Sequence, residues 1–154
     1  MENKKTLKIV ISSLSILIVA VLGSIFVNLG IDWFGILQKP TEWVPNVIIP
    51  IVWTIIYLAF AIINFLWIKN GEIPTKIIVL MIINGLFNIL WCLVFFTLNK
   101  LLFGNIIIVL NLIMSYALVV NILKAKPLYG YILALYPIWL SLATTLNTAV
   151  WILN

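Results

Sequence analysis

The positions of the charged residues constrain the fold more than any other feature of this sequence. They leave five runs of at least 23 residues without Asp, Glu, Lys or Arg: 9–31, 43–68, 77–99, 101–123 and 127–154. The hydrocarbon core of a bilayer is ~30 Å thick, and about 20 helical residues cross it. Strands of a membrane barrel would instead alternate polar and apolar residues over ~10 positions. We therefore predict an all-α membrane protein, a five-transmembrane-helix bundle.

The predicted helices belong to a single domain, 1–154, and their approximate bounds are 7–27, 47–68, 76–98, 101–123 and 128–152. The first is interpreted as a retained helix. Its apolar stretch, from Ile9 to Val27, is longer than the 7–15 residues of a signal-peptide core. The first connection, 28–46, is the longest, and it contains Trp33, Phe34 and Trp43. Such aromatic residues either anchor the chain at the membrane interface or form a lid that covers a ligand site.

Composition removes several classes of function. Apolar residues make up 65% of the chain and charged residues 8%, whereas a soluble domain carries roughly 25% charged residues. The chain has one cysteine, no histidine and no arginine, so a disulfide framework and the commonest metal ligand and general base are missing. The charge-free runs also argue against an ion-coupled pump. We expect no metal, no required cofactor and, because the lysines are scattered, no nucleic-acid partner.

The lysines also predict the orientation of the chain. Seven of them lie before the first helix, between the second and third, and between the fourth and fifth: Lys4, Lys5, Lys8, Lys69, Lys76, Lys124 and Lys126. The opposite side has only Lys39 and Lys100. Lysine-rich loops stay on the cytoplasmic side of a membrane. The bias predicts a cytoplasmic N-terminus and a C-terminus outside.

Asparagine and aromatic side chains recur at helical spacing inside three of the runs. These positions, three or four residues apart, are Trp53 and Tyr57 in the second helix, Asn84, Asn88, Trp91 and Phe95 in the third, and Tyr136, Trp139, Ala143 and Asn147 in the fifth. Residues so spaced share one helix face, and amides avoid hydrocarbon. Two interpretations stay open: the amides tie helices together, or the three faces line a mostly aromatic pocket for a flat ligand.

These three helices resemble the TspO/MBR family, which includes bacterial tryptophan-rich sensory proteins and the mitochondrial translocator protein (peripheral benzodiazepine receptor). The fifth helix is similar to the family pattern W-x-x-x-A-T-x-L-N-x-x-x-W, from Trp139 to Trp151. The third resembles N-x-x-W-x-x-x-F-F from Asn88, and the second P-x-x-W-x-x-x-Y from Pro50. The first connection departs from the family, because Glu42 stands at a tryptophan position and Val44 at a proline position.

The resemblance implies a sensor or translocator of the bacterial cell membrane, often a homodimer, that binds protoporphyrin IX and other flat hydrophobic ligands. The implied ligand-binding residues are Trp33, Trp53, Tyr57, Asn84, Asn88, Trp91, Phe95, Trp139, Ala143, Leu146 and Asn147. One alternative is a light-dependent, porphyrin-degrading enzyme in which Trp53 and Trp139 are the reactive groups. Another is a structural or partner subunit of the membrane that binds no ligand.

Overall fold

The computed structural model of the protein describes residues 2–40, 45 and 47–154. These described residues form six α-helices, of which the third continues into a π-helical turn. Their bounds are α1 Glu2–Ile36, α2 Ile48–Lys69, α3 Thr75–Cys92 followed by the π-helical turn Leu93–Thr97, α4 Leu101–Ala125, α5 Pro127–Leu133 and α6 Leu135–Leu153. Within the described residues every regular element is helical.

In the part of the chain that the structure describes, five segments are long and apolar enough to cross a membrane, with α5 and α6 together forming the fifth. Large apolar side chains cover their outward faces, for example Leu17, Leu58 and Ile113, which are more than half exposed. Such a surface is stable in lipid and unfavourable in water, because apolar side chains need no hydrogen bonds and hydrocarbon supplies none. The chain is therefore an integral membrane protein with five spans, as the charge-free runs predict.

The helices form a ring in which α1 packs against α3, α3 against α4, α4 against α6, and α2 against α6 and α1. The Lys8 ammonium lies 3.3 Å from a Glu72 carboxylate oxygen, so the start of α1 and the α2–α3 connection share one end. We call this the lysine-rich end, because the spans alternate in direction and bring all seven predicted lysines to it. The opposite, lysine-poor end carries Lys39 and Lys100.

The first helix is longer than predicted. The expected bounds 7–27 and connection 28–46 are wrong at this point, since α1 continues to Ile36 and places Trp33 and Phe34 on a helix. The reason is a close crossing with the π-helical turn: Gly30 lies against the Phe96 carbonyl, and Thr97 donates a hydrogen bond to the Phe26 carbonyl at 2.9 Å. This packing stabilises the helix across Gly30, although glycine inside a helix is normally destabilising. Glu42, Trp43 and Val44 lie outside the described residues.

The fifth predicted helix, 128–152, is divided in two at Ala134. Pro137 has no backbone N–H and cannot bond to the carbonyl of Leu133 one turn earlier, and its ring crowds that carbonyl. Tyr136 and Pro137 are buried in the bundle, at helical spacing from the buried residues Leu133 and Leu140. The structure thus has two helices, α5 and α6, within one span, where the sequence predicts a single helix.

The interior consists of two clusters. The cluster toward the lysine-poor end, which we call the aromatic core, has the buried members Ile56, Trp91, Cys92, Phe95, Phe96, Ile108, Tyr136, Leu140 and Val150. The cluster toward the lysine-rich end is mainly aliphatic and is built around Ile63, Ile77, Leu118 and Ile122. The candidate site lies where the two clusters meet.

Candidate functional site

A small cavity lies between the helices at the level where the two clusters meet. Its volume is about 40 Å³, and one water needs about 10–15 Å³ of such space. In this closed form it has room for about three waters. The lining residues are Ser15 and Val19 from α1, Trp53, Ile56, Tyr57 and Phe60 from α2, Met81, Asn84, Gly85 and Asn88 from α3, Leu118 from α4, and Tyr136 from α6.

The aromatic wall of this cavity is centred on Trp53. Its ring stacks on Tyr57 with centroids 5.9 Å apart and lies 5.9 Å from the ring of Trp91. Tyr136 meets Trp53 edge-on at 6.2 Å. These separations are those of favourable aromatic pairs. The rings form an apolar aromatic wall in which Trp53 is the common member.

The polar side of the cavity is a network of buried amides. Asn84 Nδ2 donates to Asn111 Oδ1 at 2.8 Å, and the Tyr136 hydroxyl donates to Asn84 Oδ1 at 3.1 Å. Asn84 is thus already bonded within the protein and joins α3, α4 and α6. For this residue the structure combines both interpretations, since Asn84 connects helices and also lines the cavity.

Asn111→Leu is expected to lower the free energy of unfolding by about 1 kcal/mol. The substitution removes the acceptor at 2.8 Å from Asn84 Nδ2 and leaves that buried donor only the longer bond to the Asn111 backbone carbonyl, at 3.4 Å. Asn121→Leu is the matched control, because Asn121 lies on the same helix and bonds only to the Ala117 carbonyl of its own turn. Unfolding in mixed detergent micelles measures both variants. Equal stability of the two would contradict the importance of the network.

Asn88 offers the cavity an unused acceptor. Its side chain is 2% exposed, and its Oδ1 has no hydrogen-bond partner in the described part of the protein. The hydroxyl of Tyr57 lies nearby, since a methyl group placed on Gly23 would lie 3.5 Å from this hydroxyl and 3.7 Å from Asn88 Oδ1. A buried acceptor without a partner loses hydrogen-bond energy. A donor group of a ligand or a water at this position would recover it.

The remaining predicted site residues lie toward the lysine-poor end, in or against the aromatic core. They are Trp33, Trp91, Phe95, Trp139, Ala143, Leu146 and Asn147. Trp91 donates from Nε1 to Asn147 Oδ1 at 3.3 Å, which ties α3 to α6. The indole N–H of Trp139 is buried without a partner among the described residues. Predicted residues therefore occupy two levels: Trp53, Tyr57, Asn84 and Asn88 at the cavity, and the others above it.

The end of α1 covers this upper level. We call Trp33, Phe34 and Leu37 the roof, because all three pack against the aromatic core. The Trp33 ring lies 6.0 Å from Phe95. The Lys39 ammonium donates to the Phe34 carbonyl at 2.6 Å and satisfies a carbonyl that the helix end leaves free. Partial burial lowers the pKa of Lys39 below its ordinary value.

Sequence reasoning missed the contribution of α1 to the cavity wall. Ser15 and Val19 line the cavity, and Gly23 faces Tyr57 and Asn88. The sequence does contain a signal for this face of α1. Four residues follow each other at helical spacing and share one face: Ser12, Ser15, Val19 and Gly23. These small residues carry no aromatic ring or amide, so they did not stand out against the apolar run around them.

Comparison with known proteins gives two relatives and one family. A family model described as the TspO/MBR family matches residues 12–152. Protein CrtK of Rhodobacter capsulatus is 29% identical over 126 residues, covering 79% of this chain and 78% of that protein. Tryptophan-rich protein TspO of Archaeoglobus fulgidus is 28% identical over 151 residues, covering 96% of this chain and 97% of its own. The residues that the family model matches run through all five spans and include the residues that line the cavity.

Proposed function

Because this chain belongs to the TspO/MBR family, we propose that it binds protoporphyrin IX and similar flat hydrophobic ligands between its helices, as a sensor or translocator. The observation that carries the proposal is the convergence of Trp53, Tyr57 and Tyr136 on a cavity that also holds the unused acceptor of Asn88. An aromatic wall with few polar groups is the usual composition of a small-molecule site. The aromatic core above it extends this apolar surface toward the roof.

A tetrapyrrole needs more space than the closed form has. Sites for drug-sized molecules have volumes of about 300–1,000 Å³, against about 40 Å³ for the cavity. The half of α2 nearest the roof packs loosely against the other helices. Its residues Ile51, Ile55 and Leu58 are about half exposed, and within 48–58 only Ile56 is buried. We infer that a bound ligand displaces this half of α2 while the roof stays closed above it, and stacks on the ring of Trp53.

Ala143→Phe tests the proposal and is expected to weaken protoporphyrin IX binding about tenfold. Ala143 is half-buried against the aromatic core, so a phenyl ring there fills space that the displaced half of α2 would give to the ligand. Ala61→Phe is the control, because Ala61 is exposed on α2. Titration by quenching of tryptophan fluorescence gives both affinities. Equal affinity of the wild type and Ala143→Phe would count against this site.

The same purified protein serves to test the two alternative functions, the porphyrin-degrading enzyme and the subunit without a ligand. A light-dependent, porphyrin-degrading enzyme would form products under illumination faster than free porphyrin bleaches, and Trp53→Phe or Trp139→Phe would abolish the difference. A subunit without a ligand would show no rise of melting temperature with protoporphyrin IX, since a ligand that binds the native state stabilises it. Of the two tryptophans, Trp53 lines the cavity and Trp139 packs against the aromatic core.

We also propose that the lysine-rich end faces the cytoplasm. The structure brings Lys8, Lys69 and Lys76 to one end of the bundle, and the positive-inside bias retains such an end on the cytoplasmic side. The roof and Asn154 then lie outside. The homodimer and the bacterial cell membrane stay predictions from the family resemblance.

A further inference from the structure

Two hydrogen bonds join the chain after α1 to the end of α6. The Asn154 side chain accepts from the Gln38 N–H through Oδ1 at 3.0 Å and donates through Nδ2 to the Gln38 carbonyl, also at 3.0 Å. The same Nδ2 donates to the Val150 carbonyl at 2.8 Å. One carboxamide thus satisfies both backbone groups of Gln38 and is itself fixed by the last turn of α6. We call the pair of bonds to Gln38 the clasp.

The clasp connects the roof to a wall of the candidate site. Gln38 follows Leu37 directly, and α6 carries Trp139 and Asn147. Between residues 28–40 and α6 the structure shows no hydrogen bond other than the clasp in the part of the chain it describes. The roof packs on the rest of the bundle through apolar contacts, such as that of the Phe34 ring with Phe96 at 5.2 Å. Directional attachment of the roof to α6 therefore depends on Asn154.

We propose that Asn154 is a positioning residue that keeps the roof closed, and that opening of the clasp sets the rate at which a flat hydrophobic ligand reaches and leaves the site. The inference rests on the proposed function, because it assumes that a ligand binds beneath the roof. The closed cavity of about 40 Å³ cannot admit such a ligand without movement. The clasp is exposed to solvent, so it breaks and reforms more readily than the buried amide network.

This arrangement predicts a particular kinetic signature. The clasp is present with the roof closed over an empty or an occupied site, and it is broken only while a ligand passes. Its removal therefore stabilises the open passage state relative to both end states. Association and dissociation accelerate by the same factor, and Kd stays unchanged. A residue that merely shapes the site would instead change Kd.

Asn154→Ala is expected to raise both rate constants for protoporphyrin IX about tenfold, since two hydrogen bonds are lost, with Kd within about twofold. Stopped-flow porphyrin fluorescence with detergent-solubilised protein measures both. Asn70→Ala is the matched control: Asn70 also ends a helix and donates from Nδ2 to a carbonyl one turn back, Leu66, at 2.8 Å, but at the lysine-rich end. Unchanged rates in Asn154→Ala, or a change of Kd through one rate alone, would overturn the proposal.

Hydrogen–deuterium exchange of the Gln38 amide tests the clasp without any ligand. Asn154→Ala should exchange this amide about tenfold faster than the wild type and Asn70→Ala. If Asn154→Ala binds protoporphyrin IX with the kinetics of the wild type, the proposed role of the clasp is refuted and the proposed function stands. Protein that does not bind it at all would refute the proposed function, and with it the role of the clasp in ligand passage, while exchange would still report whether Asn154 holds Gln38.

Discussion

Gly30→Ala is expected to lower the free energy of unfolding by about 3 kcal/mol, near the upper range for overpacked interiors. A methyl group at this position would overlap the carbonyl group and Cα of Phe96. These are backbone atoms of the π-helical turn, so no side-chain rotation relieves the clash. Either α1 moves away from α3 or the turn rearranges, and both outcomes lift the roof from Phe95 and Phe96. Unfolding of the purified protein in mixed micelles measures the loss.

Gly35→Ala provides the control on the same helix. A methyl group at Gly35 meets no atom within 4 Å, so the substitution should be neutral or stabilising by up to about 1 kcal/mol through the greater helix propensity of alanine. A general sensitivity of α1 to the loss of glycine would destabilise both variants alike. Equal effects of Gly30→Ala and Gly35→Ala would show that the close crossing does not control stability.

Trp53→Leu is expected to weaken protoporphyrin IX binding about thirtyfold, which corresponds to about 2 kcal/mol. Trp53 lines the cavity, and its ring lies against those of Tyr57, Trp91 and Tyr136. Leucine preserves the apolar character of the site but removes the flat stacking surface. Because the substitution deletes a tryptophan, the emission of the porphyrin itself is the suitable signal for titration.

Trp151→Leu separates this effect from the general loss of an indole ring. Trp151 belongs to the same family pattern as Trp139, but it is 39% exposed near the end of α6 and away from the cavity. Its replacement should leave the affinity within about twofold. The melting temperature of each variant without ligand shows that both are folded. An affinity of Trp53→Leu equal to that of Trp151→Leu would place the ligand elsewhere in the protein.

Much of the candidate site follows from periodicity alone. Asn84, Asn88 and Trp91 were predicted to share an inward face of the third helix, and all three are buried. The prediction succeeds because an amide has a strong preference for the interior when the alternative is hydrocarbon, and because helical spacing is a local property. Periodicity does not identify partners. That Asn84 would bond to Asn111 and Tyr136 depends on the order of helices around the ring.

The errors lie where a distant contact overrides a local signal. In the local sequence, Gly30 favours an end of α1. The space that its missing side chain leaves is filled by the Phe96 carbonyl, however, and the helix continues to Ile36. The clasp has no local signal at all, because Gln38 and Asn154 are 116 positions apart. Pro137 is the opposite case, in which a local rule was available: proline within a helical pattern disrupts the turn before it.

The sequence by itself determined that this chain crosses a membrane five times as helices and directs amide and indole groups inward, because span length and the cost of unpaired polar groups in lipid are set residue by residue. Only the tertiary structure decided how far α1 extends, which residues the amides bond to, and how little space the site contains. Those features depend on how closely two backbones can approach, as at Gly30 and Phe96, and such a distance exists only when both helices are in place.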